Sequence, residues 1–64
     1  MAEISEVMLI KRNNEYILSK FFYDGWTDRE VGIKEISRYT DEDFALFNLN
    51  YYAEKFNVPA TKNY

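Results

Sequence analysis

The stretch Val7-Met8-Leu9-Ile10-Lys11-Arg12-Asn13-Asn14-Glu15-Tyr16-Ile17-Leu18 decides how this chain is read. Two apolar, β-branched runs flank a pair of asparagines, and asparagine tolerates the left-handed backbone that a two-residue hairpin turn imposes. Such a turn fixes register, because Arg12 then pairs with Glu15 and every residue further out follows. Leu9 falls beside Leu18 and Lys11 beside Tyr16. Cross-strand pairs of these kinds each stabilise a sheet by roughly 0.2–1 kcal/mol.

Further along, Asp24-Gly25 is a second strong hairpin signal, and the segment beyond it is again rich in β-branched and aromatic residues. Strands are therefore expected over about 6–12, 15–23 and 26–37, in a three-stranded antiparallel meander. If the second loop also holds two residues, Leu18 neighbours Val31, Tyr16 neighbours Ile33, Glu15 neighbours Lys34, and Lys20 opposes Arg29 in one unfavourable pair. One sheet face then collects Val7, Leu9, Tyr16, Leu18, Phe22, Val31 and Ile33. The other collects Met8, Ile10, Ile17, Phe21 and Trp26 around Gly32.

A helix is expected over about 41–56, with a tail over 57–64. Thr40 or Asp41 can cap it, and its acidic first turn, Asp41-Glu42-Asp43, suits the positive end of the helix dipole. Lys55 occupies the last turn, Asn57 can take the left-handed position after it, Val58 can supply the apolar contact of the cap, and Pro59 prevents continuation. At 100° per residue, Ala45, Leu46, Leu49, Tyr52, Ala53 and Phe56 form a broad apolar face, which should pack on the sheet. A second stripe, Phe44, Phe47 and Tyr51, lies on the other side. At about 150–250 Å² per ring, these three represent some 500 Å², a patch size that monomers seldom leave bare without use. The fold class is thus α+β, a three-stranded antiparallel meander followed by one C-terminal helix (βββα), in one domain over 1–64. The alternative is a small all-α domain, since Thr27-Asp28-Arg29-Glu30 fits a capping box and Gly25 to Gly32 resembles the start of the second helix in helix-turn-helix DNA binders. That likeness breaks at Glu35, where the pattern expects an apolar residue.

Composition narrows the function. The chain has 64 residues, eight Lys or Arg against eleven Asp or Glu, no Cys and no His. Disulfides, thiolate zinc sites, cysteine nucleophiles and imidazole bases are therefore excluded. Carboxylates at Asp28, Glu30, Glu35 and Asp41 to Asp43 are the plentiful catalytic material, but an acidic first turn is ordinary capping, and Asp41-x-Asp43 lacks the ligand count of a calcium or magnesium site. Ser19 and Lys20 are neighbours on a strand and point to opposite faces, so they make no Ser-Lys pair. Two glycines leave no phosphate-cradling loop. No catalytic residue, cofactor or metal ligand is expected.

A net charge of −3 disfavours nucleic acid, although Lys11, Lys20 and Arg29 share a face with Tyr16 and Phe22 in a mixture that a strand-based reader uses. No apolar run approaches a membrane span and the start lacks the cationic segment of a secretory signal, so a soluble cytoplasmic protein is expected. The expected function is a small, acidic, non-enzymatic interaction protein that inhibits or modulates a larger protein or self-associates as a dimer. Size and acidity fit the small proteins with which viruses and mobile elements engage host machinery. Its contacts would be Phe44, Phe47 and Tyr51 on the helix and Met8, Ile17, Phe21 and Trp26 on the second sheet face, with Asp41, Glu42 and Asp43 steering. A DNA- or RNA-binding module is the alternative.

Overall fold

The computed structural model describes residues 2–26 and 29–64. Three long strands, β1 (Ala2–Arg12), β2 (Glu15–Asp24) and β3 (Arg29–Tyr39), precede α1 (Glu42–Phe56) and a short β4 (Ala60–Asn63). The sheet order is β3-β2-β1-β4. Its first three strands are antiparallel neighbours, and β4 runs parallel to β1. Because β3 and β4 point the same way from opposite edges, the chain must cross between them, and α1 makes that crossing over one face of β1 and β2. The result is two layers only, 16 Å through its shortest axis and 37 × 23 Å across.

Asn13 and Asn14 take φ of 52° and 64°, the twice left-handed turn that their side chains tolerate. Arg12 pairs with Glu15, Lys11 with Tyr16 and Leu9 with Leu18, so the expected first register is present. β1 continues past the expected start at residue 6 because a bulge between Ile4 and Glu6 absorbs one residue. The hydroxyl of the extra residue, Ser5, donates to the Phe21 carbonyl at 3.3 Å.

The second hairpin corrects the sequence reading. Asp24 spends its carboxylate on the Trp26 N–H at 2.9 Å, a local turn, and Gly25 does not adopt positive φ. Pairing closes at Asp24 with Arg29, so the loop spans four residues and β3 covers 29–39 rather than 26–37. Two bulges in β3, facing the Leu18–Ser19 and Phe22–Tyr23 steps of β2, then shift the register again. Leu18 lies opposite Ser37 rather than Val31, Tyr16 opposite Tyr39 rather than Ile33, and Lys20 opposite Lys34 rather than Arg29. Each slip of one residue reverses the face, which moves Ile33 from the helix side to a place beside Phe21 on the other side. The side chain of Val31 and the capping signal at Thr27-Asp28 lie outside the described residues. Arg29 to Gly32 belong to a strand, so the all-α alternative does not hold.

The tail also differs from expectation. Asn57 takes the left-handed position at φ 55°, its N–H and that of Val58 satisfy helix carbonyls, and Val58 packs on the core. Pro59 then ends the helix, and its carbonyl accepts the Val7 N–H at 3.1 Å, which starts β4 along β1. The fourth strand is legible only through this pairing, since four polar-rich residues carry little strand signal.

The core lies between α1 and the central strands. Val7, Leu9, Leu18, Ala45 and Leu49 are buried, Tyr16 closes one end, and Ile36, Tyr39, Leu46, Tyr52, Ala53, Phe56 and Val58 pack around them. Fully burying each of the larger aliphatics contributes about 1.5–3 kcal/mol.

Candidate functional site

The helix turns two apolar faces in opposite directions, and the sheet covers one. Asp41 is extended, at φ −100° and ψ 122°, and its carboxylate accepts the Asp43 N–H at 3.3 Å, while its carbonyl takes the first helical bond from Ala45. From that start, Ala45 and Leu49 point into the core. Phe44, Phe47 and Tyr51, at spacings of three and four, project outward on one line. Phe47, in the middle, is 66% exposed, and Phe44 and Tyr51 are about half exposed. Both outer rings are braced from within the molecule: Phe44 stands edge-on to Tyr39 at 5.4 Å, and the Lys55 ammonium lies 5.9 Å from the Tyr51 ring centre. Asn48 donates its amide to the Phe44 carbonyl at 2.9 Å, alongside the stripe.

The tail is anchored along β1 and at the start of α1. β4 runs along β1, and Tyr64 packs its ring 5.4 Å from Tyr16 and donates its hydroxyl to Glu42 at 2.8 Å. Desolvation, reinforced by that hydrogen bond, pushes the Tyr64 phenol up to about 12. Lys62 approaches the same Glu42 carboxylate at 3.8 Å. The expected acidic group therefore divides by role. Glu42 holds the tail, Asp41 caps the helix, and Asp43 is exposed beside Phe44.

The sheet face away from α1 brings Met8, Ile10, Ile17 and Phe21 together as expected. Met8 and Phe21 are half-buried, yet Ile17 is only 6% exposed with no helix above it. Arg38, directly opposite Ile17 on β3, reaches Glu35 at 2.9 Å and Glu15 at 3.6 Å, laying a ladder of ion pairs over this part of the face. The hydrogen bond from Arg38 holds the Glu35 carboxyl below its usual pKa and raises that of the guanidinium. Trp26 does not join the group. It sits in the turn after β2 at 89% exposure. In its place stands Ile33, 61% exposed and paired with Phe21, which the sequence reading missed because its parity depends on bulges that no residue type announces.

On the helix side, Lys11 lies over Tyr16 and Lys20 over both Phe22 and Phe56, each at about 5.5 Å. Lys34 stands opposite Lys20, whereas the backbone of Arg29 is placed opposite Asp24, away from Lys20. Among the described residues, no three His, Cys, Asp or Glu side chains gather as metal ligands, and no helix is long and apolar enough to cross a membrane. Comparisons with protein-family models, with curated proteins and with solved structures return no match to this chain.

Proposed function

We propose that this protein is a small, non-enzymatic interaction module that modulates a protein partner by occupying its surface, and that the outer face of α1 is the docking surface. One observation carries the reading: Phe44, Phe47 and Tyr51 stay exposed in a line on a helix whose other face is locked into the core. Anchors at i, i+3 and i+7 on one helix are how amphipathic helices enter apolar clefts. Holding the helix in place beforehand removes most of the ordering cost of that mode. Asp43 beside Phe44 supplies an exposed negative charge, which suits a partner surface with a basic rim and steers encounter at low salt. Met8, Phe21 and Ile33 form a second apolar patch. The ion pairs of Arg38 cross that face, so it is the weaker candidate.

The test is affinity capture from the source cell with immobilised wild type and Phe47→Ala, each checked for an unchanged melting curve. Loss of the captured partner with Phe47→Ala supports docking through α1. Identical capture by the two proteins removes that surface from consideration.

A nucleic-acid module is the second reading, favoured by the adjacency of Lys20 and Lys34 beside Phe22. It requires a mobility shift with single-stranded oligonucleotides at low salt that Lys20→Ala with Lys34→Ala abolishes. The net charge of −3 opposes it.

A further inference from the structure

We infer that the occupant of the outer face of α1 is the same face of a second copy, packed antiparallel about a two-fold axis; this rests on reading that face as a docking surface. Phe44, Phe47, Tyr51 and Glu54 recur at alternating steps of three and four, the spacing of a two-helix seam. An antiparallel pairing that sets Phe47 against Tyr51 of the second copy sets Tyr51 against Phe47 in return, so all four central rings meet across the axis. The flanks of the stripe are complementary to themselves in the same arrangement. Asp41 at the start of one helix falls beside Lys55 at the end of the other, twice by symmetry. At the axis, the only place where a residue meets its own copy, the flanking residues are Asn48 on one side and Asn50 on the other, both uncharged. Glu54 is carried toward the positive end of the opposing helix dipole. A parallel pairing would instead stack Glu54 on its own copy and set Asp43 beside Asn48 and Lys55 beside Asn50, so that no opposite charges meet.

Area sets the strength. Rings of about 150–250 Å² that are half to two-thirds exposed offer about 300 Å² per protomer, and the flanking side chains bring the total buried by both copies to roughly 1,000 Å². That is the lower edge of a specific interface, so the dimer is weak and forms with a micromolar dissociation constant. Neither end of the stripe needs to move, since Tyr39 and Lys55 already hold the outer rings.

Sedimentation equilibrium on the full chain, from micromolar to near-millimolar concentration, tests the inference. Wild type should shift from monomer to dimer across that range. Asn50→Lys and Asn50→Asp, which place like charges at the axis, should each weaken association about tenfold, while an equimolar mixture of the two should recover it as a heterodimer. Asn50 is exposed, so both variants keep the fold. Monomer at every concentration overturns the second copy as occupant, and so does a dimer indifferent to Phe47→Ala. A wild-type dimer with no recovery in the mixture overturns the antiparallel pairing. None of these outcomes touches the broader docking reading, which stands or falls on whether partner capture depends on Phe47.

Discussion

Leu49 and Phe47 lie two residues apart on one helix and are both large and apolar, yet one is buried against β1 and β2 and the other faces water. Residue type does not separate them. What separates them is that a two-layer fold has a single interior, so a helix with apolar residues on both sides must leave one side bare. The inner face therefore reports on folding and the outer face on association, and substitutions should sort cleanly between the two.

The largest effect is expected inside. Leu49→Ala removes a side chain that is 4% exposed and leaves a cavity between α1 and the strands, at a cost of about 2–5 kcal/mol. A chain of this size has roughly 3–10 kcal/mol in hand, so the urea midpoint should fall steeply or the variant should be unfolded without denaturant. A small shift would mean that the inner face is not the core and would erase the contrast with Phe47.

Next is the residue that ends both faces. Asn57 sits at φ 55°, where a Cβ without a local polar partner is disfavoured. Asn57→Ala should cost about 1 kcal/mol and Asn57→Gly close to nothing. Equal losses in the two variants would show that the Asn57 side chain itself, rather than its backbone, holds the turn into β4.

Much of this arrangement is written in the sequence at short range. The Asn13-Asn14 turn, the first register, the Asp41 cap and the Asn57 stop each depend on a few adjacent residues whose chemistry admits one backbone solution. The two helix faces follow from periodicity alone. The second hairpin was not legible, because Asp24-Gly25 supports either a two-residue turn or the side-chain-capped turn that Asp24 makes with Trp26, and long-range pairing chose between them. Ile33 changed faces for that reason. β4 and the anchoring of Tyr64 on Tyr16 and Glu42 join residues more than twenty positions apart, beyond any local pattern.

On the outer face, Phe47→Ala should leave the urea midpoint within about 0.5 kcal/mol of wild type, as exposed substitutions do, while abolishing association. Paired with Leu49→Ala, it forms a double dissociation: one variant loses the fold, the other only the partner. A substantial loss of stability in Phe47→Ala at concentrations where the wild type is monomeric would show that the ring contributes to folding and would collapse the distinction.

The smallest effect concerns the tail that closes the inner face. Tyr64 has its phenol raised to about 12 by desolvation and by the hydrogen bond it donates to Glu42, against an ordinary value near 10. A raised folded-state value means that the folded protein holds this proton more tightly than the unfolded chain does. Its stabilisation is therefore complete below pH 10 and disappears as pH climbs from 10 through about 12. Tyr64 is 45% exposed, so solvent screening keeps the effect small. Other tyrosines ionise over the same range, which makes Tyr64→Phe the necessary control: the variant keeps the ring against Tyr16 and loses only the titrating group. Melting temperatures measured from pH 9 to 12 should fall more steeply for wild type than for Tyr64→Phe, with the two curves converging at the alkaline end. Parallel curves would mean that β4 is held by its backbone pairing with β1 and that the bond to Glu42 contributes nothing measurable.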